Sequence, residues 1–179
     1  MRAIQDAPFI PIAAVAQASE SRQGWSFNRG LDSFGYNYPM RAVVAGAYLG
    51  GNGEKEAVYP LRYTDSQNQP LDGANDYTVK FSGEPPNNAF WSLTIYDATT
   101  KMLIENSISR YKFGSDTKGI KKNADGSFTV TVSPNKPADG GNWLPSPKGG
   151  FYAILRIYQP KEEVLSGAWK LPEFERVNK

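Results

Sequence analysis

The chain has 179 residues, 40% hydrophobic and 13% aromatic, with a net charge of +2, the length of one domain with enough large rings for a single sizeable core. It holds no cysteine and no histidine, which excludes disulfides, thiolate or imidazole metal sites, a cysteine nucleophile and a Ser-His-Asp triad. Acids and bases are interspersed without the basic stripe of a nucleic-acid surface, and no run reaches the ~20 apolar residues of a membrane span.

Any catalysis must therefore rest on Asp, Glu, Lys, Tyr, Ser or Arg, and any metal site would be built from oxygen alone. No metal-ligand spacing is present and no cofactor is expected.

At the N-terminus, Met1-Arg2 precedes an apolar stretch over residues 9–18, and Ala16-Gln-Ala18 mimics a small-residue cleavage site. Asp6, Pro8 and Pro11 interrupt that pattern. A processed leader and a packing arm both fit, so periplasmic, secreted and cytoplasmic locations all stay open. Residues 19–37 are polar with scattered Trp25, Phe27, Phe34 and Tyr36, and read as an irregular packed segment. Residues 1–37 are thus an arm, and 38–179 a helix plus a β-sandwich, in one domain overall.

Pro39 suits a first helical turn, and Met40, Val43, Val44, Ala47 and Tyr48 follow at helical spacing until Gly50-Gly51. Gly51-Asn-Gly53 lacks the Lys-Ser/Thr of a phosphate loop and reads as a cap and turn. From residue 57 the period becomes two. Strands are expected over 57–64 (with Pro60 at an edge or bulge), 77–82, 90–97, 102–106, 128–132 and 151–159. Gln69-Pro-Leu-Asp-Gly73, Glu84-Pro-Pro-Asn-Asn88 and Asn123-Ala-Asp-Gly126 are turns between them. One early helix and many short strands predict a mainly β fold, an antiparallel jelly-roll-like sandwich with an N-terminal helical segment.

In the two longest strands, pleat sets Phe90, Ser92, Thr94 and Tyr96 on one face, with Trp91, Leu93, Ile95 and Asp97 on the other. Tyr152, Ile154, Arg156 and Tyr158 share a mixed face opposite apolar Phe151, Ala153, Leu155 and Ile157. Aromatic rings with a guanidinium can recognise a sugar or another polar organic ligand. They can equally form a second small core in which Arg156 meets an acid. The candidate ligand-binding residues are Trp91, Arg110, Trp143, Tyr152, Arg156 and Tyr158. Trp143 lies in the proline-stiffened Asn142-Trp-Leu-Pro-Ser-Pro147, either a ligand gate or a staple closing the sandwich. Asp97 and Glu105 are the candidate catalytic carboxylates for glycan chemistry, with a turn cap as the alternative for Asp97.

A set of short words runs through the chain in order. They are Tyr38-Pro-Met-Arg-Ala42, Glu56-Ala-Val-Tyr59, Pro70-Leu-Asp-Gly73, Ala89-Phe-Trp-Ser-Leu-Thr-Ile-Tyr-Asp97, Ser109-Arg-Tyr111, Gly141-Asn-Trp-Leu-Pro145, Leu155-Arg-Ile-Tyr158 and Gly167-Ala-Trp169. On these words, residues 24–177 resemble the bacterial domain of unknown function twelve-fourteen (DUF1214). That domain usually forms the C-terminal half of larger proteins, behind a partner domain of the twelve-fifty-four type (DUF1254). The resemblance implies a jelly-roll-like sandwich preceded by a helical segment, and a possible partner domain. It implies no established activity and no catalytic residues. Three functions follow: a binding or accessory module for a small polar ligand or glycan, a hydrolase or lyase using carboxylates, or a structural interaction domain.

Overall fold

The computed structural model describes residues 19–47 and 50–177. The chain opens on a hairpin of β1 (Ser19–Arg22) and β2 (Trp25–Asn28), followed by helix α1 (Tyr38–Ala47). Short strands β3 (Ala57–Val58) and β4 (Leu61–Arg62) lead to β5 (Tyr77–Phe81), β6 (Trp91–Asp97) and β7 (Lys112–Gly114). Strands β8 (Phe128–Ser133), β9 (Asn142–Pro145) and β10 (Phe151–Tyr158) follow, then the short helix α2 (Glu162–Leu165) and β11 (Phe174–Arg176).

Two sheets result. The larger runs β1-β2-β4-β10-β6-β7, with β3 also paired to β10, and the smaller runs β11-β5-β8-β9. The alternation in the sequence explains their stacking. Strand β10 buries Phe151, Ala153, Leu155 and Ile157 against the inner positions Trp91, Leu93 and Ile95 of β6. The smaller sheet answers with Tyr77, Val79 and Phe81 from β5 and Phe128, Val130 and Val132 from β8. Phe81 and Phe128 stack at 4.8 Å, and Trp91 lies 5.2 Å from Phe81. Burying each such side chain contributes about 1.5–3 kcal/mol, so this one core dominates the stability. The mainly β fold with a small helix is as the sequence predicts.

Helix α1 also appears where its spacing places it, with the Asn37 carboxamide oxygen accepting from the Met40 N–H as an N-cap. Its buried Met40, Val43 and Val44 do not join the main core. They form a separate small cluster with Leu31 and Phe34. Tyr48, expected on the same stripe, lies outside the described residues.

Four local expectations change. The strand expected over 57–64 is two short strands, because Pro60 has no N–H to donate; its carbonyl instead accepts from Leu155 N–H at 2.9 Å. Residues 102–106 form no strand, only one bridge between Tyr96 and Leu103. The polar segment after residue 18 holds the β1-β2 hairpin, which joins the sheet through Ser26 and Leu61 and puts Trp25 and Phe27 into the main core. Its turn has Gln23 at φ 52° and Gly24 at φ 76°. A Cβ on Gly24 would run into the Arg62 guanidinium, so glycine suits both the backbone and the space there. Finally, β9 is a strand where a loop was expected, and it pairs parallel with β8. The irregular connection through Pro134, Pro137 and Gly140-Gly141 returns the chain to enter in the same direction, so the smaller sheet is mixed and not purely antiparallel.

Candidate functional site

The outer face of the larger sheet is set by the register between β6 and β10. Tyr152 lies opposite Tyr96, Ile154 opposite Thr94, and Arg156 opposite Ser92. Strand β7 extends the row, with Lys112 opposite Thr94 and Gly114 opposite Ser92. Rings dominate one end. Tyr152 stacks between Tyr63 and Tyr96, with both centroid separations 5.5 Å. The Arg156 guanidinium donates to the Tyr96 hydroxyl at 2.8 Å and lies 5.5 Å from its ring, while Lys101 Nζ sits 5.3 Å from the Tyr152 ring. At the other end, Tyr158 stacks on Phe90 at 4.3 Å and meets Tyr59 edge-on at 6.1 Å.

Two depressions open on this face, and Arg156 lines both. The larger, about 590 Å³, is bordered by Ser92, Thr94, Tyr96, Arg110, Lys118 and Arg156 among others. The smaller, about 380 Å³, is bordered by Tyr59, Leu61, Tyr63, Tyr152, Ile154 and Arg156, with Gly50-Gly51 at its rim. Burial pushes the Tyr59 phenol up to about 12, reinforced by the neighbouring Tyr158, and the hydroxyl donates to the Asn52 carboxamide oxygen. Burial also raises Tyr152, reinforced by the neighbouring Tyr63 and Tyr96. Both hydroxyls therefore stay protonated at neutral pH and act as neutral hydrogen-bonding groups, not as bases.

Arg110 reaches the larger depression from a loop that Asn106 clamps. The Asn106 carboxamide oxygen accepts from Arg110 N–H, and its amide donates to the carbonyls of Ile104 and Arg110. One Arg110 guanidinium nitrogen donates to the Trp143 carbonyl at 2.9 Å. Lys112 is paired with Asp116 at 2.6 Å. Arg156 makes no ion pair among the described residues, so the acid partner weighed for it in the sequence is absent there.

From the expected set, Arg156 shares the larger depression with Arg110 and the smaller with Tyr152, while Tyr158 lies on the same sheet face but lines neither. Trp91 is elsewhere, as the pleat dictates for an odd position of β6. It is 1% exposed in the main core, and its indole N–H donates to the Glu84 carboxylate at 3.1 Å. Trp143 is 8% exposed, with its indole N–H held by the Ser133 carbonyl at 3.0 Å, and it lines neither of the two depressions. Asp97 accepts from the N–H groups of Thr99 and Thr100 and from the Thr100 hydroxyl, bonds that hold its carboxyl below the usual range. It is a turn cap. Glu105 is exposed and lines neither of the two depressions. No group of three acids able to hold a metal occurs among the described residues, and no helix among them is long and apolar enough to cross a membrane. Sequence reasoning missed Tyr59, Tyr63 and Lys118. Strand pairing alone brings Tyr63 beside Tyr152; Tyr96 and Ser92 were legible as partners once the pleat was drawn.

Comparison with known proteins gives a family and a fold. The model of the family described as "Protein of unknown function (DUF1214)" matches residues 56–162, more than half of the chain. The VPA0106 protein from Vibrio parahaemolyticus is 34% identical, with a TM-score of 0.65, over 78% of this chain and 36% of that one. A putative uncharacterized protein from Burkholderia cenocepacia shares the fold at 17% identity and a TM-score of 0.50, over 72% of this chain and 31% of that one. The chain spans about a third of the length of each of these structures. No curated protein matches it. With this match over more than half of its length, taking in the loop of Arg110 and the strand of Arg156, the chain belongs to the DUF1214 family.

Proposed function

We propose that the outer face of the larger sheet is a recognition surface for a small polar organic ligand, with carbohydrate the leading class, and that the domain is a binding or accessory module. One observation carries this reading: Arg156 stands between two depressions, hydrogen-bonded to one ring of the Tyr63-Tyr152-Tyr96 stack and paired with no acid among the described residues. The exposed Tyr63 ring at the end of the stack offers apolar surface to the C–H face of a sugar, and the guanidinium offers fixed planar donors. The wall chemistry favours binding over turnover. Glycoside hydrolysis needs two facing carboxylates at roughly 5–9.5 Å, whereas the larger depression is lined by Asp116 alone and the smaller by no acid.

A thermal-shift screen of glycans and organic acids tests the proposal on the wild type, Arg156→Ala and Tyr152→Ala. A ligand that raises the wild-type midpoint but not that of the folded variants supports it. A ligand that shifts all three equally places binding elsewhere.

A second reading draws on the lengths of the chains. Because the chain spans about a third of the Vibrio structure, and Phe90 and Tyr63 are half-exposed on the outer face, that face can instead dock a partner domain of the twelve-fifty-four type. A screen without hits, combined with variants that lose affinity for such a separately expressed domain, favours this reading.

A further inference from the structure

We infer that the larger outer-face depression takes an organic anion, a sugar bearing a carboxylate or phosphate, with its charged group among Arg156, Arg110 and Lys118. This rests on the ligand-recognition reading above and names the ligand's class.

The walls carry four cations, Arg110, Lys112, Lys118 and Arg156, against one carboxylate, Asp116. Asp116 is already spent on Lys112 at 2.6 Å. The other three cations form no ion pair among the described residues. Arg110 and Arg156 are oriented by neutral partners, the Trp143 carbonyl and the Tyr96 phenol, which fix their direction without cancelling their charge. The neighbouring depression, about 200 Å³, shares Arg110, Thr117 and Lys118 and adds Lys121 and Lys136. For a chain whose total net charge is only +2, this local excess is far from the average. A neutral ligand that covered these groups would strip water from unpaired charges and return only hydrogen bonds to uncharged oxygens; an anion returns stronger bonds between opposite charges.

Two further groups face the same space. The Ser92 and Thr94 side chains are nearly buried at its floor, and neither hydroxyl forms a hydrogen bond with another described residue. Each can donate to an oxygen brought in beside Arg156. Leu103, Ile108 and Tyr111 at the rim, with the Tyr96 ring, supply the apolar surface that a sugar body needs and a bare ion does not.

Isothermal titration calorimetry at low ionic strength tests the inference with four probes: glucuronate, glucose phosphate, glucose and inorganic phosphate. The proteins are the wild type, Arg156→Gln and the exposed-site variant Lys118→Gln. The expected result is that the charged sugars bind the wild type at least about tenfold more tightly than glucose or inorganic phosphate, and that Arg156→Gln loses about tenfold for them. Lys118→Gln loses less, and added salt weakens the charged probes only. The tighter of the two charged sugars distinguishes carboxylate from phosphate. Glucose binding as tightly as its charged relatives, or unchanged affinity in both variants, overturns the anion inference while the ligand-recognition reading stands. Inorganic phosphate binding as tightly as glucose phosphate overturns the role of the sugar body. Silence from all four probes, together with a silent glycan and organic-acid screen, overturns both.

Discussion

Strand β10 presents two chemistries from one backbone. Its odd positions, Phe151, Ala153, Leu155 and Ile157, are sealed between the sheets. Its even positions, Tyr152, Ile154, Arg156 and Tyr158, hold rings and a charge beside two open depressions. The inner face is closed by another sheet and answers only to volume and shape. On the outer face, Tyr152 is 9% exposed between the Tyr63 and Tyr96 rings, and a guanidinium is aimed by a phenol with no ion-pair partner among the described residues. A core side chain is expected to contribute to stability and little else, whereas the partly exposed Arg156 is expected to contribute to binding at little cost when it is lost.

The largest expected effect lies on the inner face. Leu155→Ala removes a fully buried side chain between the sheets and is expected to cost about 2–5 kcal/mol in chemical denaturation. A loss comparable to that of a surface change would break the contrast. Gly24→Ala is next. It forces a side chain into a positive φ of 76° and against Arg62, and an unfolding free energy lowered by about 1–3 kcal/mol is expected. Tyr152→Ala breaks two ring contacts and is expected to cost about 0.5–1.5 kcal/mol per ring pair beyond its burial, read by the same denaturation. Arg156→Gln, one residue from Leu155, is expected to stay within about 0.5 kcal/mol of the wild type. A collapse of stability in that variant would mean that the outer face is a second core.

The smallest effects are in pH. Burial raises the Tyr59 phenol from 10.0 to about 12, so the folded protein holds this proton more tightly than the unfolded chain. The stability it contributes is fully present below pH 10 and is lost as pH rises toward 12. Ultraviolet titration of the wild type against Tyr59→Phe should show one late-ionising tyrosine missing in the variant. At the other end of the scale, Lys122 and the Trp91 indole hold the Glu84 carboxyl below its ordinary 4.5. Its contribution is present above pH 4.5 and fades as acid protonates it through its lowered value. Acid titration of stability in Lys122→Met should show a smaller loss than in the wild type.

The architecture was legible wherever the period of two was clean. The alternations in 77–81, 128–132 and 151–158 each became a strand with the expected inner face. Features that depend on distant pairing were hidden. Residues 142–145 carry two prolines nearby and read as a loop, yet β8 recruits them into a parallel edge. The β1-β2 hairpin turns at Gln-Gly, a weaker signal than Asn-Gly, and its strands become amphipathic only once Trp25 and Phe27 have a core to enter. For the site, pleat alone was enough to place Tyr152, Arg156 and Tyr158 on one face. The same pleat argued against Trp91, whose size drew attention but whose odd position in β6 sends it inward. The cation cluster was illegible because Arg110, Lys118 and Arg156 come from separate loops and strands, and only the fold removes the acids that lie between them in the chain.

The most direct test of the outer-face account is a nuclear magnetic resonance titration of the isotope-labelled chain with glucuronate. The account predicts shifts concentrated on Ser92, Thr94, Tyr96, Lys118 and Arg156, and silence from the inner positions of the same strands beyond small relayed changes. Shifts clustered away from that face would contradict it.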